Sequence, residues 1–223
     1  MLKVSDLSVR RGNTMILSDI SFSAQKGTIT ALLGASGAGK STLLAALCGQ
    51  LKPYKGTVVL ENSGCAGYVP QTPYSEDCPL NISQIVTLSD SRTWLSTPPE
   101  ARYKAMKVLG RLGLQDYSNY RLSELSGGQK QRVAIGAAIY LGSEVILCDE
   151  PTSKIDPGLA SEVLGLLKSL ANEGSCIVIS THDPLRVMQY ADRAIGLRSG
   201  RLVLDDLCSN ISQSAVDDLY RMV

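Results

Sequence analysis

The 223-residue sequence contains no stretch of about 18 uncharged apolar residues, the length that a helix needs to cross a bilayer. The longest apolar candidate, residues 133–142, is far too short. The N-terminus also lacks the basic segment, apolar run and cleavage site of a secretory leader. We therefore expect a cytoplasmic chain whose role at a membrane, if it has one, requires a separate spanning polypeptide.

Neither sign of charge is in excess, because the sequence has 22 Lys and Arg residues and 21 Asp and Glu residues. The Lys and Arg residues form no basic block. Nucleic-acid binding depends on clustered positive charge, so we expect no nucleic-acid partner. The six cysteines include no Cys-x-x-Cys pair, and two of them, Cys148 and Cys176, lie in apolar runs typical of buried strands. This pattern favours reduced thiols over disulfides or a zinc site.

The most informative segment that is present begins at Gly34 and reads Gly-Ala-Ser-Gly-Ala-Gly-Lys-Ser. It follows residues 28–33, which are β-branched and apolar as in a buried parallel strand, and precedes a helical pattern over residues 41–47. In this context the glycines let backbone N–H groups face a phosphate, and the helix N-terminus adds positive potential. We predict that Lys40 reaches the β- and γ-phosphates and that the Ser41 hydroxyl ligates Mg²⁺.

This loop by itself indicates only a site for a nucleoside triphosphate, because kinases, GTPases and many motor proteins share it. An ordinary glycine-rich turn is the alternative interpretation. The predicted nucleotide-binding residues of the loop are Gly34, Ala35, Ser36, Gly37, Ala38, Gly39, Lys40, Ser41 and Thr42.

Two carboxylates, Asp149 and Glu150, follow the apolar run at residues 145–148. Ligands of open α/β sheets bind at the carboxyl ends of the strands, and side chains alternate along a strand, so the two should face different ways. We predict that Asp149 is a second Mg²⁺ ligand and that Glu150 is the general base for an attacking water. A solvated strand end is the alternative.

His182, the single histidine, follows a third predicted strand at residues 176–180. Asp183 and Pro184 after it are typical of a helix N-cap and first helical position. A lone histidine is usually structural or merely exposed. Because this one ends a strand beside two others that carry site residues, we predict that it contacts the γ-phosphate and reports whether ATP or ADP is bound.

Ser126-Gly127-Gly128-Gln129 has the pattern of a capping box before a helix at residues 130–140. Two glycines in a first helical turn each cost up to about 1 kcal/mol, so we infer that a large anion approaches this backbone closely.

Together these segments resemble the motifs of the ATP-binding subunits of ABC transporters, over residues 2–203. The matches, in the family's order, are residues 34–42 with the Walker A loop, Gln71 with the Q-loop glutamine, residues 125–129 with the signature, Asp149 and Glu150 with the Walker B aspartate and catalytic glutamate, residues 153–156 with the D-loop, and His182 with the switch histidine. The signature matches letter for letter.

The resemblance implies that ATP and Mg²⁺ bind between two subunits. Ser126, Gly127, Gly128 and Gln129 of one subunit would then face the γ-phosphate on the Walker A loop of the other, and Asp156 would align the interface. Gln71 is implied as a catalytic group and Mg²⁺ ligand that couples the site to a membrane partner. The implied partners are a second copy or a paralogous ATPase subunit, separate transmembrane permease subunits and, for an importer, a substrate-binding protein.

Three positions depart from the family's pattern. Arg11 stands where many relatives carry an aromatic residue that stacks on adenine; its guanidinium could stack there, or it could be a solvated surface residue. Lys154 replaces a small residue in the D-loop, and Ala137 replaces an arginine after the signature helix.

The predicted fold is α/β: a RecA-like P-loop NTPase core with a mostly parallel sheet, an N-terminal antiparallel β subdomain and an inserted α-helical subdomain. We expect one domain over residues 1–223, with the core and β subdomain in residues 1–74 and 133–223 and the helical subdomain, which carries the signature, in residues 75–132. Thr97, Pro98 and Glu100 predict a helix start as cap, first position and third position.

The predicted function is an ATPase on the inner face of the cell membrane that powers an ABC transporter, most consistent with a bacterial importer. The alternative is an ATPase of a lipoprotein-release or cell-division complex. Residues 56–88 resemble ATPases of zinc and manganese importers, whereas residues 217–221 resemble those of phosphonate importers, so the sequence leaves the substrate open. The segment after Gln71 is compatible with a groove for a permease helix or with an ordinary loop.

Overall fold

The computed structural model describes residues 1–61, 64–72, 74–75, 77–88, 90 and 98–221. The strands in these ranges are β1 (Leu2–Arg11), β2 (Thr14–Ala24), β3 (Ile29–Leu33), β4 (Lys55–Leu60), β5 (Gly67–Val69), β6 (Val145–Asp149), β7 (Cys176–Ser180), β8 (Arg193–Arg198) and β9 (Arg201–Leu207). The helices are α1 (Lys40–Leu47), α2 (Ile82–Thr87), α3 (Pro99–Arg111), α4 (Gly127–Tyr140), α5 (Pro157–Asn172), α6 (Pro184–Met188) and α7 (Gln213–Tyr220). None of these helices meets the length and apolarity that a bilayer crossing requires.

Two sheets organise the chain. The larger has the strand order β5-β6-β7-β3-β8-β9, and all its neighbouring strands are parallel except β8 and β9, which pair antiparallel. The smaller sheet, β2-β1-β4, is antiparallel throughout and is formed by the N-terminal part of the chain. The predicted α/β fold with a mostly parallel core and an N-terminal antiparallel β subdomain is therefore confirmed.

Helix α1 lies between the two sheets. Its Leu43, Leu44 and Leu47 are buried in one cluster with Leu7 and Ile20 of the small sheet and with residues of β3, β6, β7 and β8. Both faces of this short helix are covered, which fixes the loop that precedes it.

The opposite face of the large sheet is covered by α5, α4, α2 and α3. Val163, Leu164, Leu167 and Leu170 lie on the buried face of α5. Cys148 and Cys176 are buried free thiols, as predicted. Helix α4 runs without a break through the predicted boundary at residues 132–133, and the subdomain boundaries stay a prediction.

The predicted start of α3 is off by one residue. The helix begins at Pro99 with Pro98 as its N-cap, so Pro98 is not the first helical residue and Glu100 is not the third. Thr97, the predicted cap, lies outside the described residues. Proline suits the first helical position because the amide that it lacks would have no partner there, and with two consecutive prolines the pattern could not choose between them.

The segment after Gln71 contributes mostly to the protein's own core. Ile82 and Ile85 are buried, and Tyr74 and Leu80 pack against the same cluster. These apolar residues are therefore explained by internal packing, whereas Glu76, which belongs to the same predicted segment, lies outside the described residues.

Candidate functional site

The site is assembled by strand register. Leu32 of β3 and Asp149 of β6 both pair with Ser180 of β7, so β6 and β7 end on the same rung and β3 ends one residue beyond it. The chain leaves β3 into the Walker A loop, β6 into Glu150 and β7 into His182. Because parallel strands all point the same way, these segments emerge at one edge of the sheet, as the sequence predicts.

The Walker A loop is folded tightly at its first residue. Gly34 has a φ of 144°, and a Cβ there would lie 2.5 Å from the carbonyl oxygen of Leu197. Any side chain at this position would force the loop away from β8, so the requirement for glycine here is both conformational and steric.

Lys40 is turned back onto its own loop. Its Nζ donates hydrogen bonds to the carbonyl oxygens of Gly34 at 2.8 Å and Ala35 at 3.1 Å. Burial lowers the pKa of the Lys40 ammonium below its usual value, while the nearby carboxylates of Glu150 and Asp149 oppose this shift. The ammonium is thus already at the loop that would hold phosphate, but it must exchange carbonyl oxygens for phosphate oxygens.

Asp149 is held from two sides. The Ser180 hydroxyl donates to its Oδ1 at 2.6 Å, and the Tyr68 hydroxyl donates to its Oδ2 at 3.3 Å. Burial and the adjacent carboxylate raise the pKa of Tyr68, which keeps the phenol protonated as a donor. Neither Tyr68 nor Ser180 was singled out from the sequence; the signal for Ser180 was a polar residue ending an apolar strand.

Glu150 adopts an unusual backbone conformation. Its φ is +47°, a left-handed value that costs a residue with a side chain about 1–3 kcal/mol. Its N–H donates to the Ser180 hydroxyl at 3.0 Å, which helps to fix that conformation. The two carboxylates do contact different partners, but strand alternation is not the reason, because β6 ends at Asp149.

The Glu150 carboxylate joins two of the predicted catalytic residues. Gln71 Nε2 donates to its Oε2 at 2.8 Å, and Nδ1 of His182 lies 3.1 Å from the same oxygen. The His182 side chain is 59% exposed and that of Glu150 only 20%, so the carboxylate is the more buried partner and the imidazole faces solvent. Gln71, Glu150 and His182 therefore meet at one oxygen atom.

The signature segment forms the capping box that its pattern predicts. The Gln129 N–H donates to the Ser126 hydroxyl at 3.3 Å, and the Ser126 N–H donates to Gln129 Oε1 at 2.8 Å. In the described part of the chain, no hydrogen bond joins residues 125–129 to the Walker A loop. The two motifs are thus separate within one molecule.

The two glycines of the signature have a packing role that the sequence did not reveal. A Cβ at Gly127 would lie 2.9 Å from Ile155, and one at Gly128 would lie 3.3 Å from Leu159. The close approach of α4 to the D-loop and α5 therefore already favours glycine. The inference that these glycines serve only an approaching anion was too narrow.

Asp156 caps helix α5. Its Oδ1 accepts hydrogen bonds from the backbone N–H groups of Gly158 and Leu159, both at 3.1 Å. Two residues earlier, Lys154 donates to the Thr72 hydroxyl at 2.6 Å and so joins the D-loop to the segment that follows Gln71. The unusual lysine thus makes a contact that a small residue could not make.

The capping role of Asp156 can be separated from its predicted role at a subunit interface. Asp156→Ala should lower the free energy of unfolding by about 1 kcal/mol, because two N–H groups lose their acceptor. Asp156→Asn keeps an acceptor oxygen and should retain most of that stability. Urea unfolding of both variants tests this, and equal stability of wild type and Asp156→Ala would contradict the capping role.

Arg11 is exposed at the end of β1, where it pairs with Thr14. Its neighbour Arg10 stacks over the ring of Tyr54, 4.0 Å from the centroid. An arginine on this surface can therefore stack on an aromatic ring, but adenine stacking by Arg11 stays a prediction.

The residues predicted to hold Mg²⁺ offer oxygen atoms, which that ion prefers. These atoms are in the exposed Ser41 hydroxyl at the start of α1, in the Asp149 carboxylate, which Ser180 orients, and in the Gln71 amide. The amide nitrogen of Gln71 donates to Glu150, so its amide oxygen is the atom that could bind the ion. No cluster of three His, Cys, Asp or Glu residues that could hold a metal occurs among the residues described. Mg²⁺ takes few protein ligands and completes its shell with water and substrate phosphates.

Comparison with known proteins agrees with this geometry. Residues 17–153 match the family described as ABC transporter. The phosphonates import ATP-binding protein PhnC 1 of Natronomonas pharaonis is 34% identical over 240 residues, covering 99% of each chain. The structure of cbiO1 from Clostridium perfringens, part of the ABC transporter complex cbiONQ, superposes with a TM-score of 0.82 at 30% identity, covering 96% of this chain and 92% of that one.

A dimeric ATP-binding cassette, MJ0796, in a post-hydrolysis state with ADP and Pi also superposes, with a TM-score of 0.78 at 27% identity over 95% of this chain and all of that one. In this chain the Walker A loop, the acid pair and the loop that carries His182 meet at one edge of the large sheet, and the family match covers residues 17–153. The chain therefore belongs to the ABC transporter family, as an ATP-binding and ATP-hydrolysing subunit.

Proposed function

We propose that this chain powers an importer by closing as a dimer on Mg²⁺-ATP and reopening after hydrolysis. The observation that carries this proposal is the position of Glu150, whose carboxylate is held by Gln71 and lies beside His182 at the sheet edge that also bears Lys40 and Asp149. A fixed carboxylate beside a phosphate-binding loop is the arrangement needed to orient and deprotonate a water.

Each residue has a defined task in this proposal. Backbone N–H groups of the Walker A loop and the Lys40 ammonium bind the β- and γ-phosphates and offset their charge. Ser41, Asp149 and Gln71 hold Mg²⁺, which supplies charge neutralisation on the phosphate oxygens. Glu150 accepts the proton of the attacking water, and His182 moves from the carboxylate to the γ-phosphate.

The dimer is supported by the separation of the two motifs. Helix α4 begins with the capping box of Ser126 and Gln129. Among the described residues, no hydrogen bond joins this capping box to the Walker A loop of the same chain. A helix N-terminus is suited to an anion, so a second copy or a paralogous subunit supplies the phosphate. The dimeric state of the MJ0796 cassette supports the same arrangement.

The relatives support the proposed partners and substrate. As an ATP-binding subunit of an importer, the chain works with separate permease subunits at the inner face of the membrane and with a substrate-binding protein. The relative from Natronomonas pharaonis is named for phosphonates import and matches over nearly its whole length. We therefore assign a phosphonate as the substrate class, in preference to a metal ion.

Deletion of the gene should abolish high-affinity uptake of a phosphonate, and zinc and manganese uptake should be unchanged. Wild-type protein should restore uptake and Glu150→Gln should not, because import needs hydrolysis rather than the presence of the subunit. Loss of metal uptake alone would contradict the substrate class. A defect in lipoprotein release or cell division with normal uptake would contradict the importer role.

A further inference from the structure

Helix α7, near the end of the described chain, is docked against the large sheet. Its Val216 and Leu219 are buried, and Leu219 lies directly over Gly196 of β8, where a Cβ would come within 2.7 Å of it. The Arg198 guanidinium donates to the carbonyl oxygen of Asp218. These contacts fix the last turn of α7, and they do so beside the loop that follows β3.

The last residue of α7, Tyr220, reaches into the site. Its hydroxyl accepts a hydrogen bond from the Gly34 N–H at 3.3 Å and donates one to the Thr181 carbonyl oxygen at 3.3 Å. Gly34 and Thr181 are both buried. Burial raises the pKa of Tyr220, so the phenol keeps the proton that it donates.

Both partners of this hydroxyl are adjacent to catalytic groups. Gly34 is the first residue of the Walker A loop, and its carbonyl oxygen accepts from Lys40. Thr181 immediately precedes His182, whose ring lies beside Glu150. A single phenolic oxygen therefore connects the loop that carries the ammonium to the loop that carries the histidine. A phenylalanine would fill the same space but could make neither hydrogen bond.

We propose that Tyr220 is a positioning residue for ATP hydrolysis, which holds the Walker A loop and the His182 loop in register through its hydroxyl. This inference rests on the ATPase cycle proposed above. Tyr220 touches no reacting atom; it acts through the backbone of Gly34 and Thr181. The consequence falls on turnover, because catalysis depends on the relative placement of the two loops, while most phosphate contacts come from the remainder of the Walker A loop.

Tyr220→Phe should lower kcat at saturating ATP roughly tenfold, with a change in KM of no more than about twofold, as expected when positioning rather than binding is lost. The matched control is Tyr140→Phe, which removes the hydroxyl of another inward tyrosine that is 1% exposed and donates to the Ala101 carbonyl oxygen. Both variants should lose comparable thermal stability, but the control should keep its kcat. Rates are measured well below both melting temperatures.

Amide hydrogen exchange supplies a readout that does not require turnover. In nucleotide-free protein, Tyr220→Phe should speed exchange at the Gly34 amide at least tenfold while amides in the centre of β3 stay protected. Uniform acceleration along β3, or an unchanged kcat in Tyr220→Phe, would overturn the positioning role. If wild-type protein itself shows no ATP hydrolysis at any protein concentration, the proposed function fails instead, so the two failures are distinguishable.

Discussion

Glu150→Gln will lower the rate of ATP hydrolysis by about 10²–10⁴-fold, the usual contribution of a general base. The amide is nearly isosteric with the carboxylate and still accepts from Gln71, but it cannot accept a proton from water. The strained backbone at φ +47° is the same for either side chain, so folding should be unaffected. ATP should still bind, and the dimer should persist because the step that opens it is blocked.

The measurement is steady-state phosphate release together with size-exclusion chromatography in Mg²⁺-ATP. Glu173→Gln is the control, since Glu173 forms an exposed ion pair with Arg111 away from the site; it should behave as wild type. Rapid multiple turnover by Glu150→Gln would exclude Glu150 as the base. Slow turnover without an ATP-dependent dimer would leave the base in place but contradict the dimer cycle.

Ser126→Asp will abolish ATP-induced dimerisation while leaving ATP binding to the monomer within about twofold of wild type. Aspartate is as good an N-cap as serine, so helix α4 keeps its start. Its negative charge, however, would face the γ-phosphate of the opposite subunit, and like charges placed together across an interface cost several kcal/mol. Association should therefore weaken by at least about 10²-fold.

The design includes a neutral match, Ser126→Asn, which caps the helix equally well and differs from aspartate only in charge. Both substitutions are placed in the Glu150→Gln background, so that hydrolysis does not reopen the dimer, and association is followed by sedimentation. The asparagine variant should dimerise much more strongly than the aspartate variant. Loss of monomer ATP binding in Ser126→Asp would show that the signature acts on its own chain's nucleotide.

Some of the reasons for the geometry of the site cannot be predicted from sequence patterns. Strand alternation was the reason that the sequence suggested for Asp149 and Glu150 facing different ways. In the structure the reason is the left-handed backbone conformation of Glu150, whose N–H donates to the Ser180 hydroxyl. The sequence suggested an approaching anion as the reason for Gly127 and Gly128. The structure adds that Ile155 and Leu159 leave little room for a side chain at these two positions. The first explanation was wrong and the second was incomplete, because the deciding partners lie more than 25 positions away in the chain.

The local sequence was sufficient to predict these strands, the helix starts and the nucleotide-binding loop. The apolar runs before residues 34, 149 and 182 have the composition of parallel strands that are covered on both faces, and they form buried strands. Ser126 and Asp183 begin helices because their side chains accept hydrogen bonds from free N–H groups of the first turn. The loop from Gly34 to Thr42 is specified by its own glycines, lysine and hydroxyls. The nucleotide loop, the acid pair and the family were thus determined by residues close together in the chain.

Contacts between distant segments were decided only by the tertiary structure. The meeting of Gln71, Glu150 and His182 at one oxygen and the bond from Lys154 to Thr72 depend on how loops from different strands approach each other. So does the hydrogen bond from Gly34 to Tyr220, two residues that are 186 positions apart. Hydrogen-bond distances of about 3 Å depend on the packing of whole strands and helices, and no periodicity or spacing in one segment carries that information.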